Sequence, residues 1–289
     1  MGRHILTTME ILKKSLPGVL ILFALGCGTN SNANTDYIGG AVMPHHLLVK
    51  NDIESLYKKI SAKNDYERII VISPNHFGYG YYPVQTSKSI NKNLDGMIDY
   101  DSAAIEILIE QKAIYNGGHL LENEHGITGH IPFVSKHFPK ATFIPITIKP
   151  DTPREQLDKL INNLASLNLS RTLIIASVDF SHVIDEETAL NRDTETIKWF
   201  GANHNNSTNT EILNEIKALA KINNNNPDSI ALDSPETIYV LHHLMRIKNS
   251  TKFSLYKRTS SASLLKIDDP AENTSHIFGT FTHPYSLPR

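Results

Sequence analysis

Three short turns hold the residues of this chain best suited to metal or acid–base chemistry: Met43-Pro44-His45-His46, Ser73-Pro74-Asn75-His76 and Ser177-Val178-Asp179-Phe180-Ser181-His182. Two histidines with a carboxylate, or three histidines, leave open coordination positions on a divalent metal, an arrangement suited to non-haem iron and to catalytic zinc. His45 and His76 are the leading ligand candidates, because a nearby proline stiffens the backbone that must hold each ring. His46 either replaces His45 as ligand or faces solvent. His182 is a candidate third ligand or a general base working near neutral pH. Asp179, three residues earlier, can orient that imidazole, fix its tautomer or bind metal itself. The competing reading of Asp179–His182 is a helix start in which Asp179 or Ser181 caps backbone N–H groups.

A further segment, Glu122-Asn123-Glu124-His125-Gly126-Ile127-Thr128-Gly129-His130-Ile131-Pro132-Phe133, carries acids and histidines together. Glu124 and His125 are a candidate carboxylate–histidine support at the pocket. His125 and His130 are five apart, so they do not stack on one helical face, and zincin chemistry is not expected. His130 reads as a packing or surface residue. His119, His137, His242, His243, His276 and His283 have no motif context.

The elements that must position these turns are legible as apolar runs. Tyr37–Val42, Arg68–Ile72 and Thr172–Ala176 read as buried strands, and each of the first three turns follows one of them. Ligands and metals sit just beyond the carboxyl ends of strands in open α/β sheets. Further strands are expected at Thr142–Ile148, Phe253–Lys257 and Ile277–Thr282. Helices are expected at Val49–Ile60 and Ser102–Ile109, after the cap sequence Thr152-Pro153-Arg154-Glu155, and from Ser234-Pro235-Glu236 onward. Strands alternating with helices give an α/β fold class: a single three-layer αβα domain around a mixed, mostly parallel sheet.

The chain has 289 residues, 40% of them hydrophobic and 20% charged, with a net charge of −2. Neither a polybasic tract nor an acidic tail is present, so nucleic acid is not an expected partner. Glycine loops for phosphate, nucleophile elbows, kinase signatures and zinc-finger spacings are absent from the sequence.

At the amino terminus, Lys13 and Lys14 precede the apolar stretch Leu16–Leu25, too short to span a bilayer comfortably. Ala24-Leu25-Gly26-Cys27 resembles a bacterial lipobox, with Cys27 as the lipidated residue. Residues 1–27 are therefore expected to be a lipoprotein signal peptide, 28–35 a polar tether, and 36–289 the folded domain. The expected location is the cell envelope, lipid-anchored and facing the periplasm or exterior. Cys27 is the only cysteine, so thiol catalysis is not expected of the mature domain.

Together, Pro44-His45, Pro74-Asn75-His76, Glu124-His125-Gly126-Ile127 with Pro132-Phe133, and Ser177–His182 resemble the Memo-like family in order and spacing. Its bacterial members are called AmmeMemoRadiSam system protein B. That family resembles the LigB-type class III extradiol dioxygenases, which are α/β domains with a non-haem Fe(II) site. The resemblance implies His45, His76 and His182 as metal-site histidines, His182 alternatively as base, and Asp179 beside it. Asn75, Glu124 and His125 match motif positions near the pocket, and His46 stands where it can compensate for a missing ligand. Iron is the implied metal, with zinc or copper as alternatives, and the substrate is an unspecified small molecule. This chain departs from the family in its late turn, Thr259-Ser260-Ser261-Ala262, which offers no strong ligand. It also has Leu232-Asp233 in place of the family's Cys-Gly.

Overall fold

Continuous, largely apolar runs without alternation belong to strands covered on both faces. Four such runs form the parallel centre of the sheet. In chain order the strands are β1 (Ile38–Met43), β2 (Arg68–Pro74), β3 (Val84–Thr86), β4 (Asp99–Tyr100), β5 (Tyr115–Asn116), β6 (Thr142–Ile148), β7 (Thr172–Ser177), β8 (Phe180–His182), β9 (Ile230–Leu232), β10 (Lys252–Ser260) and β11 (Ser275–Thr282). This computed structural model describes residues 37–284 except 91, 224 and 225. They lie in one compact unit, Asn34–Arg289. The expected signal peptide, Cys27 and the tether lie outside the described residues.

The main sheet runs in the order β10-β11-β1-β7-β2-β6-β3-β5, with β4 also paired to β6. β1, β7, β2 and β6 are parallel, whereas β10, β11 and β3 meet their main-sheet partners β11, β1 and β6 antiparallel. Alternate residues of the central strands enter opposite cores. Val42, Ile70, Ile72, Ile144, Ile174 and Ala176 pack with the helices Arg154–Ser166 and Pro235–Ile247. Ala41, Met43, Ile69, Val71, Phe143 and Ile175 pack with the helices Lys50–Ser61 and Ile131–His137. This is the three-layer αβα arrangement expected. Each fully buried aliphatic side chain contributes about 1.5–3 kcal/mol relative to exposure. No described helix is long and apolar enough to cross a membrane.

One local expectation is corrected, and one competing reading falls away. Thr152 does not cap the following helix: its hydroxyl donates to the Lys149 carbonyl at 2.7 Å, and the helix starts at Arg154 behind Pro153. Asp179–His182 does not start a helix either. Phe180–His182 is β8, paired antiparallel with β9, because Phe180 is drawn fully into the core.

Candidate metal centre

His45 and His76 arrive at the carboxyl ends of the parallel strands β1 and β2, and Asp179 arrives just beyond β7, which lies between them. Adjacent parallel strands lie about 4.8 Å apart, so residues leaving them on the same side converge without long side chains. His45, His76 and His125 form a group of three whose ligand nitrogens all lie within 4.8 Å of one another. Nitrogens sharing one ion at about 2.1 Å stand roughly 3–3.5 Å apart, so modest ring rotations close the set. The rings contact one another, with centroids 4.8 Å apart for His45–His76, 4.9 Å for His45–His125 and 4.1 Å for the stacked pair His76–His125.

Each of the two strand-end histidines is held through its Nδ1 atom. Ser177 Oγ lies 3.1 Å from His45 Nδ1. Glu124 Oε1 lies 2.6 Å from His76 Nδ1, and Glu124 Oε2 accepts the His76 backbone N–H at 2.9 Å. That leaves both Nε2 atoms facing carboxylates: Asp233 Oδ2 is 3.6 Å from His45 Nε2 and 3.6 Å from His76 Nε2, and Asp179 Oδ2 is 3.3 Å from His45 Nε2. A supported imidazole with its free nitrogen beside a carboxylate is the arrangement of a metal ligand. Asp233 Oδ1 is buried with no hydrogen-bond partner, an orphaned anionic oxygen that a cation would satisfy. Two imidazoles and a carboxylate, with His125 adjoining, therefore suit a divalent ion with open positions.

The backbone locks this set together. Val178 N–H donates to the Met43 carbonyl at 3.0 Å, and His45 N–H donates to Asp179 Oδ1 at 3.3 Å. Asp179 N–H donates to Asp233 Oδ2 at 3.1 Å, and Asp233 N–H donates back to the Asp179 carbonyl at 3.3 Å. Gly126 is required where it stands, since a Cβ there would overlap Ser73 Oγ.

The electrostatics are strongly divided. Burial holds the His45 pKa well below its ordinary value, helped by neighbouring histidines. His76 rises to about 10, because hydrogen bonds and charges of Asp233 and Glu124 overcome burial. Burial and the charge of Asp179 push Asp233 up to about 7, against the pull of His76. The raised His76 thus sets a positive charge against the packed acids, and an arriving cation would displace its proton.

The remaining sequence candidates fall around this centre. Glu124 supports His76 rather than His125, whose Nδ1 is 3.9 Å from its carboxylate. Asn75 shapes the loop after β2, pairing with the backbone of Tyr79 at 2.8 and 3.1 Å. His46 is not in the group of three; its Nδ1 lies 3.0 Å from His276 Nε2 in a stacked pair. His182 is likewise outside the group of three. Its Nδ1 is 3.3 Å from Thr274 Oγ1, its Nε2 is buried without a partner, and burial lowers its pKa. The next residue, Val183, takes a left-handed φ of 55°, strained for a β-branched side chain and held by Asn273 and Ser229. His130, read from sequence as packing or surface, is fully buried and joins Tyr57 to Ser177 at 2.9 and 3.1 Å. With the late turn offering no strong ligand, Asp179, Glu124 and Asp233 were the carboxylates left to complete the site from sequence, and Asp233, just after the three-residue strand β9, is the one that faces both Nε2 atoms.

A sequence profile of the Memo-like protein family matches residues 26–271. The chain belongs to the Memo-like family. Among relatives, a MEMO1 family protein of Nitrosopumilus maritimus (strain SCM1) is 31% identical over 177 residues, covering 58% of this chain and 62% of that protein. One from Methanococcus maripaludis (strain C5) is 31% identical over 172 residues, covering 55% and 59%. The match thus spans about three fifths of the length of these family members. The crystal structure of the uncharacterized protein JW3007 from Escherichia coli K12 is similar over 83% of this chain and 98% of that one. The TM-score is 0.55 at 12% identity, a likeness of fold alone.

Proposed function

We propose that this chain is a metal-dependent redox enzyme that binds one divalent ion through His45, His76 and the Asp233 carboxylate, with His125 adjoining. The observation that carries this reading is the position of Asp233 Oδ2, 3.6 Å from the Nε2 atoms of both histidines. Two histidines and a carboxylate are the donor set of non-haem iron oxygenases, so iron fits first, with zinc or copper as alternatives. Bound iron would supply a site for dioxygen and a small-molecule substrate in its open positions. The chain's own residues orient and deprotonate. Ser177 and Glu124 hold the two imidazoles, Asp179 fixes the His45 backbone, and His182 keeps a neutral ring with an unpartnered nitrogen able to take a proton. The likeness of the family to LigB-type dioxygenases supports the same chemistry.

A non-catalytic metal- or ligand-binding or protein-interaction scaffold is the second reading. The late turn favours it: Ser260 Oγ caps the helix Ser261–Leu265 and is not a metal donor. Elemental analysis of the full chain, purified anaerobically without chelator, tests both readings beside the His45→Ala/His76→Ala variant. Near-stoichiometric iron that is lost in the variant, with oxygen consumption on adding catechol-type substrates, supports the enzyme. Bound metal without turnover favours the scaffold, and no metal after reconstitution sinks the metal site.

The same proposal covers the amino terminus: a lipoprotein signal in residues 1–27, lipidation at Cys27, a tether over 28–35 and a domain from 36 facing the periplasm or exterior. Lys13, Lys14, the apolar stretch and the small residues before Cys27 support it. A Cys27→Ser variant should move from the membrane to the soluble fraction and lose labelling by palmitate. Retention of both would overturn the anchor.

A further inference from the structure

The antiparallel register places a second cavity at the other end of the sheet from the metal centre. His276 of β11 contacts His46 beside the centre, whereas Phe281 pairs with Gly40 near the start of β1. Five residue steps of strand separate His276 from Phe281, about 17 Å. Around Phe281 opens a cavity of about 600 Å³, within the size range of small-molecule sites. Its apolar surface comes from Phe200, Met245 and Phe281, all buried.

The polar side is uniformly electropositive or neutral. Arg246, Lys252, His204 and His242 line it, and no Asp or Glu does. Among the described residues no carboxylate pairs with Arg246, although it is only partly exposed. His242 Nε2 is buried without any hydrogen-bond partner. Burial keeps that ring neutral, with its pKa lowered to about 3, so it presents a hydrogen-bonding nitrogen and not a charge. Glu215 is already engaged by Trp199 Nε1 at 2.9 Å and His204 Nδ1 at 3.4 Å. An unpaired guanidinium and an orphaned imidazole nitrogen above aromatic rings are the complement of one ligand class.

The geometry points to a second ligand site here, for a small organic anion with an apolar body, its acid group on Arg246 and His242 and its body against Phe200 and Phe281. Whether the acid group is a carboxylate or a phosphate is for the probes to separate.

The chain carries its own reporter. Trp199 is its single tryptophan, with its ring 5.2 Å from His242 and 4.5 Å from His204. Benzoate, phenyl phosphate and the neutral isostere benzyl alcohol would be titrated into the full chain, followed by Trp199 fluorescence and by saturation-transfer NMR. The NMR signal registers binding even where fluorescence is silent. Saturable binding of at least one anion at millimolar concentration is expected, with benzyl alcohol at least about ten-fold weaker. The Arg246→Gln variant should lose a similar factor, with unchanged circular dichroism and unchanged metal content. Lys252→Gln serves if Arg246→Gln does not fold. Preference for benzoate assigns a carboxylate ligand, and preference for phenyl phosphate a phosphate. Binding by neither anion, or equal binding of benzyl alcohol, or binding indifferent to the arginine and lysine substitutions would overturn the site.

Discussion

Glu124 grips His76 twice, once through the ring at Nδ1 (2.6 Å) and once through the backbone N–H (2.9 Å). One carboxylate therefore sets both the position of the loop after β2 and the tautomer of the ring it carries. Glu124 is itself anchored as the cap of the short helix His125–Thr128, where Oε1 accepts Gly126 N–H at 3.1 Å. The Glu124→Gln change keeps the shape but loses the charge. Metal affinity should fall about 10–100-fold, read by competition with a coloured chelator, while the far-ultraviolet circular dichroism stays that of the parent.

Asp233 and Asp179 place two carboxylates in one buried corner, and the charge of the neighbouring His76 offsets their repulsion. Removing one charge should therefore help the metal-free fold and harm the metal complex. For Asp233→Asn, the urea midpoint of metal-free protein is expected to rise or stay level, and metal stoichiometry to drop well below one. A variant that keeps full metal would remove Asp233 from the donor set.

Asp193 ties the flanks of the centre together. Its Oδ1 accepts Ser181 Oγ of β8 and Ser275 Oγ of β11, both at 2.9 Å, and its Oδ2 accepts Arg258 Nε at 2.8 Å. Asp193 is fully buried, and burial raises its pKa despite Arg258. Asp193→Ala strands these partners and should cost about 3–5 kcal/mol of stability in chemical denaturation. Asp193→Asn, which retains the two serine contacts, should cost less.

His130 connects Tyr57 to Ser177 within the core, and burial holds its pKa down to about 4 from an ordinary 6.5. The unfolded chain takes up that proton below about 6.5 and the folded chain only near 4, so stability is complete above 6.5 and falls as pH drops through this window. Asp233, raised from 3.8 to about 7, works in the opposite direction, adding stability that is lost as pH rises between those values. His276, lowered to about 4 by burial, adds to the His130 effect. Between pH 7 and pH 5 the His130 contribution is about 2 kcal/mol. Urea midpoints at the two pH values should therefore diverge less in a His130→Gln variant than in the parent.

What the sequence disclosed about this fold follows the strength of the local signal. Arg68–Ile72 and Thr172–Ala176 are runs of apolar β-branched residues, and they became β2 and β7 with small extensions. Thr142–Ile148 is β6 with the expected ends, and the helix after Ser234-Pro235 is present with Ser234 as its cap. His45 and His76 were legible as site candidates because strand ends are where sheets deliver ligands. The helices Glu186–Gly201 and Asn209–Ala220 were not foreseen: the buried face of the first, Ala189, Asp193, Thr196 and Phe200, is interrupted by polar residues, and the second, although it buries Ile212, Leu213, Ile216 and Ala220, follows the polar run Asn203–Ser207. The contacts of His130 and His276 were equally hidden. Each is made across the sheet to residues distant in sequence, and spacing carries no record of such partners.

The insertion of β7 between β1 and β2 has a consequence for biogenesis. His45 N–H reaches Asp179 across 134 positions of chain, and Asp233 comes later still. A growing polypeptide that has released only its first half has both histidines but neither the strand that spaces them nor the acids that face them. Ion capture therefore belongs to the completed chain, wherever that chain finally folds. Any ion it captures would therefore reflect the compartment of folding and not the surroundings of the ribosome.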